Sequence, residues 1–179
     1  MFLLIYLYMR EIDPFEIFSP ANATILILGS FPATDGAEGI THEWYYSKGK
    51  NQFWRILEAI YKLELKNISS QKALFTRLGI AIGDIILSCE RINNSSLDAK
   101  LINFEYNLDG IGRILHDFPI EKILFTSKFT EKHYKKAFND LITRFPNIEL
   151  ITLPSPSPRY VLISKEEKLK KYREVFPQL

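Results

Sequence analysis

Cysteine is almost missing from this 179-residue chain, and the one present, Cys89, excludes an internal disulfide and a four-cysteine metal site. That scarcity fits a reducing, cytoplasmic setting. Histidine is as sparse: His42, His116 and His133 are scattered without ligand spacing, so no catalytic metal is expected. No glycine-rich loop of the phosphate-cradling kind occurs. No apolar run is long enough to span a bilayer, so no membrane partner is expected. The opening MFLLIYLY is too short, and it lacks a basic leader and a small-residue cleavage site. A second methionine, Met9, precedes REIDPF, which predicts that translation starts there and that residues 1–8 are an extension. Neither charge sign is in excess: 23 Lys and Arg against 21 Asp and Glu leave +2, too little to argue for or against nucleic acid. With no repeat, low-complexity segment or flexible linker, one domain over residues 1–179 is expected.

What is present is an alternation of apolar runs and helical periods. Thr24–Leu28 is a continuous apolar run closed by Gly29-Ser30, as in a strand buried on both faces of a parallel sheet. Lys122–Phe125 and Ile148–Thr152 read the same way, and Ile80–Leu87 is a longer run of the kind. Phe53, Ile56, Leu57, Ile60 and Tyr61 follow a helical spacing, as do Leu169, Tyr172 and Phe176. Ser164 and Glu167 form a capping box for that last helix. The pattern predicts a three-layer α/β/α sandwich around a central, mostly parallel four-stranded sheet.

In such a sheet the loops leaving the strand carboxyl ends gather at one edge. Two loops stand out there: GSFPATDGAEGITHEWYYSKGKNQFW after the first strand and LPSPSPR after the last. The first is longer than structureless loops usually are, and its aromatic load argues against disorder. Phe53 and Trp54 open an amphipathic helix and are expected to pack it. Phe31 and Tyr46 lie nearer the crevice, where a ring can stack on a planar base. Asn51, at the start of that helix, is either its N-cap or an uncharged amide able to polarise water or hold a base beside the helix's positive end. In the second loop, Pro154, Pro156 and Pro158 fix a stiff shape. Ser155 and Ser157 can donate to phosphate oxygens and Arg159 supplies a cation, although Pro-Ser repeats also occur in plain turns. Lys48, Lys50 and Arg55 add positive charge beside the first loop, while Asp35, Glu38 and Glu43 make it partly acidic.

Taken together, GSFPA after the first strand, YYSKGKNQFWRIL, LGIAIGDIILSCERINNSSLDA and LPSPSPR resemble the uracil-DNA glycosylase superfamily, nearest its hypoxanthine-type and mismatch-specific branches. The resemblance extends from about Ala23 to Phe176. It implies a monofunctional, cofactor-free DNA glycosylase that releases a deaminated base, hypoxanthine or uracil, from a nucleotide flipped out of DNA, initiating base excision repair. It also implies site residues: Asn51 as the catalytic amide; Gly29, Ser30, Phe31, Pro32 and Tyr46 around the base; Ser155, Pro156, Ser157, Pro158 and Arg159 on the DNA. Uracil-specific members carry an aspartate in the first motif and a histidine opening the second, where this chain has Gly29-Ser30-Phe31-Pro32 and Leu153-Pro154. The asparagine of the mismatch-specific branch is absent from GSFPA, which leaves Asn51. Asp84 is a reserve catalytic candidate, its ordinary reading being a buried aspartate that caps a turn. Two other readings compete: a catalytically inactive nucleic-acid-binding domain of the same fold, and an α/β enzyme for a small nucleotide or phosphorylated metabolite.

Overall fold

The computed structural model describes residues 9–179, so the expectations about residues 1–8 lie outside the described residues. Four strands, β2 (Ile25–Gly29), β3 (Ile80–Asp84), β6 (Lys122–Phe125) and β7 (Glu149–Thr152), form one parallel sheet in the order β3-β2-β6-β7. Alternation along β2 explains why each run is apolar throughout. Ile25 and Ile27 face a layer made by α1 (Phe53–Tyr61), α2 (Ile68–Leu78) and α6 (Lys165–Val175). Leu26 and Leu28 face the opposite layer, from α3 (Leu108–Asp117), α4 (Lys128–Ala137) and α5 (Asn139–Arg144). Fully buried Leu or Ile side chains contribute about 1.5–3 kcal/mol each, so burial on both faces holds the middle layer. The expected three-layer sandwich with a four-stranded sheet is the architecture observed.

The helix signals are physical as well. Phe53, Ile56 and Leu57 are buried, and Ile60 and Tyr61 pack at the edge of the same cluster. The capping box opening α6 is formed: Glu167 N donates to Ser164 Oγ at 3.1 Å, and Ser164 N donates to Glu167 Oε2 at 2.9 Å.

The run Ile80–Leu87 is not one strand. β3 pairs with β2 up to the Gly29–Asp84 register, where β2 ends at its Gly-Ser turn. Ile85 N still donates to Gly29 O at 3.0 Å, but the chain then leaves the parallel sheet. Ile86–Arg91 becomes β4, the middle of an antiparallel sheet with β1 (Arg10–Ile12) and β5 (Leu101–Tyr106). This second sheet packs Ile85, Ile86 and Cys89 into the core on the α3–α5 side. Its β4–β5 connection, carrying Ser96, Leu97 and Asp98, reaches the carboxyl edge of the parallel sheet.

Candidate active site

In the order β3-β2-β6-β7, the chain runs outward in both directions from β2 and β6, so the sheet reverses between those two strands. Such a reversal opens a crevice at the strand carboxyl ends. A cleft of about 1280 Å³ lies at this edge. Ser30, Phe31, Pro32, Tyr46 and Asn51 line it from one side, and Ser155, Pro156, Ser157, Pro158 and Arg159 from the other. The two loops also touch directly, since Gln52 N donates to Pro156 O at 2.9 Å.

Asn51 sits one residue before the position expected of it. The N-cap of α1 is Gln52, which makes no side-chain cap bond, while Asn51 Oδ1 accepts from Phe53 N at 2.9 Å. An Asx turn satisfies the helix's first free amide as a cap would, but it places the carboxamide ahead of the helix. Its oxygen is therefore held, and its Nδ2 has no hydrogen-bond partner among the described residues. A fixed amide with free N–H donors, on the positive end of a helix, can orient water or stabilise developing charge.

The expected base-binding residues divide. Gly29 does not line the cleft: a Cβ there would fall 2.2 Å from Asp84 Oδ1 and 2.5 Å from the Tyr46 hydroxyl. Its role is to admit those two side chains, and its carbonyl is already taken by Ile85 N. Ser30 Oγ donates to Asp98 Oδ1 at 2.7 Å. Phe31 is largely buried, with the Arg91 guanidinium 5.6 Å from its ring centre. Tyr46 adopts a left-handed φ of 57°, stacks on Phe53 at 4.5 Å and shares a 2.9 Å hydrogen bond with Thr126 Oγ1 at the end of β6. Trp54 packs as expected, stacked on Trp44 at 5.4 Å, with its indole N–H donating to Tyr45 O.

In the second loop the serines brace the turn. Ser155 Oγ accepts from Ser157 N at 3.2 Å and Ser157 Oγ from Arg159 N at 3.3 Å, leaving both hydroxyl protons available to an acceptor. Helix α6 fastens both ends of the loop: Tyr172 Oη donates to Pro154 O at 2.9 Å and Lys168 Nζ to Tyr160 O at 3.4 Å. Lys168 Nζ also donates to Gln52 Oε1 at 3.0 Å, tying the loop to α1. Arg159 is exposed, and the next turn presents Val161 and Leu162, 81% and 79% exposed.

Sequence reasoning missed several groups here. Arg91 forms a two-pronged ion pair with Glu11 and donates to Pro32 O at 2.9 Å, bracing the first loop. Lys48 is paired with Asp35 at 3.0 Å and also donates to Thr34 O, so it is not a freely solvated cation. A Thr41 hydrogen bond and then Lys48 hold the Asp35 carboxyl at about 2. His42 lines the cleft with Nδ1 unpartnered among the described residues, and burial lowers its pKa. Asp84 was expected to cap a turn, yet it accepts no backbone amide; it is 5% exposed and lines the cleft. Burial, followed by the charges of Asp13 and Asp98, pushes its pKa well above the carboxylate range. The exposed apolar pair after the proline loop was the one signal readable in advance, as VL following PRY. Among the described residues no group of three His, Cys, Asp or Glu is placed to hold a metal ion, and no helix is long and apolar enough to cross a membrane.

Residues 15–179 match the family described as the uracil DNA glycosylase superfamily. The chain belongs to that superfamily. Its members are DNA glycosylases, which makes DNA the substrate class. A hypoxanthine DNA glycosylase from Methanosarcina barkeri is 35% identical over 88 residues, 48% of this chain and 52% of that protein. The match thus spans about half the length of this curated relative. A candidate uracil DNA glycosylase from Methanosarcina acetivorans, solved by solution NMR, superposes with a TM-score of 0.72 over 94% of this chain and 97% of the other at 24% identity. That likeness bears on the fold alone.

Proposed function

We propose that this superfamily member is a monofunctional glycosylase that releases a deaminated base, hypoxanthine or uracil, from a nucleotide flipped out of DNA. The observation carrying this reading is the 2.9 Å bond from Gln52 N to Pro156 O, which sets the Asn51 helix start and the Ser-Pro loop on opposite walls of one cleft. Flipping leaves a gap in the stack that a rigid apolar wedge can hold open. Val161 and Leu162 supply the wedge, with Arg159 and the hydroxyls of Ser155 and Ser157 on the flanking phosphates. In the cleft the bond between the base and C1′ breaks, and its electron pair leaves with the base. A water oriented by Asn51 adds its oxygen to C1′ and releases a proton. No cofactor is needed, because a base carrying lactam oxygens tolerates the charge it acquires.

The test is base release from duplexes holding one hypoxanthine or one uracil, read as strand scission at the abasic site after alkali. The protein releases the base. Asn51→Ala lowers the single-turnover rate by about 100-fold or more, the loss typical of one preorganised donor, while duplex affinity stays within about threefold. Undiminished release by Asn51→Ala overturns the assignment; salt-sensitive binding without release from any lesion replaces it with the inactive binding domain.

A further inference from the structure

Asp84 is the one acid of the cleft that the fold gives no work. It closes β3 at the register of Gly29, it is more than nine-tenths buried, and no described group bonds its carboxyl. A buried polar group without a partner is expensive, so its persistence calls for an explanation. Gly29 brings it forward: the position a Cβ would occupy lies 2.2 Å from Asp84 Oδ1 and 2.5 Å from the Tyr46 hydroxyl. The two oxygens therefore converge on one spot at the base of the cleft. Tyr46 is spoken for by Thr126, 2.9 Å away, which leaves the carboxyl open to whatever enters.

We propose that Asp84, as a neutral carboxylic acid, donates its O–H to the lactam oxygen of the departing base and so stabilises the leaving group. The inference rests on the glycosylase reading and specifies the substrate as a base bearing a ring C=O beside an N–H. As the C1′–N bond breaks, the electron pair moves into the ring and onto that oxygen. A preorganised donor there acts only as charge develops and speeds the chemical step rather than tightening binding. An amino-bearing base offers hydrogens where the O–H needs an acceptor, so adenine at the same place gains nothing. A carboxylic acid kept protonated by an apolar site for such donation is a known catalytic device. The groups that face Asp84 favour its protonated form: Asp13, raised by burial to about 7, and Asp98, raised by burial against the pull of Ser30 and Arg91. The phenols of Tyr45 and Tyr46 are both pushed up by burial and stay neutral beside it. His42 and the paired Lys48 lie elsewhere on the cleft wall.

The experiment compares wild type, Asp84→Asn, Asp84→Leu and Asn51→Ala in single-turnover release of hypoxanthine from one duplex between about pH 6 and 9, with duplex affinity measured in parallel. Asp84→Leu loses about 100-fold or more in rate with affinity unchanged. Asp84→Asn, which keeps an N–H donor, recovers the rate to within about tenfold. Wild type loses rate with rising pH as the carboxyl ionises, and Asp84→Asn does not, so the variant-to-wild-type ratio climbs; using one duplex cancels the titration of the base itself. Asp84→Leu within about threefold of wild type, or a ratio flat across pH, overturns the proposal. If Asp84→Leu does not fold, the slope of that ratio decides alone. Wild type releasing no base at any pH sinks the glycosylase reading and this one with it; release that depends on Asn51 but not on Asp84 sinks only this one.

Discussion

Replacing Lys168 with methionine separates stability from function at the junction of the two loops. Lys168 is 2% exposed, and its ammonium meets only neutral oxygens, Gln52 Oε1 at 3.0 Å and Tyr160 O at 3.4 Å, with the Tyr160 ring 5.4 Å away. Desolvation accordingly lowers its pKa. Hydrogen bonds from a charged donor contribute about 1.5–3 kcal/mol each, but holding an unpaired ammonium out of water costs several kcal/mol. The terms nearly cancel, so Lys168→Met shifts stability by about 1 kcal/mol in either direction, or about 2–4 °C in Tm for a chain of this size. DNA binding is affected differently. Without the lysine, the segment around Tyr160 and the Gln52 side chain lose a tether, and re-ordering even one residue on DNA costs about 1–2 kcal/mol. The expected result is a roughly tenfold weaker duplex affinity, since about 1.4 kcal/mol corresponds to a factor of ten. Gln52→Ala should weaken binding similarly, and the double variant should be no worse than either alone, because both act through one contact. Fluorescence anisotropy on a lesion duplex, with thermal melts in parallel, reads both quantities. A Tm loss above about 10 °C with duplex affinity unchanged would refute the argument and make Lys168 a structural residue.

Two further substitutions test the site. Gly29→Ala pushes a methyl group into Asp84 and Tyr46; it should abolish base release while costing about 1–3 kcal/mol of stability by denaturant titration, and full activity would show that neither side chain needs its position. Val161→Ser with Leu162→Ser should slow release from duplexes far more than from single strands, where there is no stack to wedge; equal slowing on both would remove the wedge assignment. Arg159→Ala, by contrast, should weaken binding to all sequences alike and lower the slope of log affinity against log salt by about one.

The strands of the parallel sheet were legible because burial on both faces leaves nothing polar in them: Lys122–Phe125 has the bounds expected, and Ile25–Gly29 is displaced by a single residue. The antiparallel sheet was not. Its β1 is three residues long, and Ile86 follows Ile80–Asp84 without any polar break to mark the change of sheet. Asn51 was legible as a residue that feeds an amide at a helix start, but N-cap and Asx turn share that signature, and only the backbone separates them. Lys168 was invisible, being one of four lysines in KEEKLKKYREV; its burial depends on Gln52, 116 positions away. Asp98 and Arg91 were hidden for the same reason, since their environment is made by Ser30, Phe31 and Pro32 across the topology.

The charge of the cleft follows from these burials and not from composition. A net charge of +2 and a first loop carrying Asp35, Glu38 and Glu43 read as indifferent to a polyanion. On the cleft wall, however, Lys48, Lys50, Arg91, Lys128, Arg159 and Lys171 stand against three acids, Asp35, Asp84 and Asp98. Asp35 is ionised but matched by Lys48, and Arg91 by Glu11 behind it. Asp84 and Asp98 have their pKa values raised by burial, which removes negative charge from the place a base would enter. The same desolvation therefore does two things at once: it lets a phosphate backbone approach a cleft with acids at its base, and it keeps on Asp84 the proton that only a neutral carboxyl can offer. Ionising that one group would forfeit the donor and return a negative charge opposite a leaving group that is itself becoming negative, so the chemistry and the field fail together and in the same direction of pH.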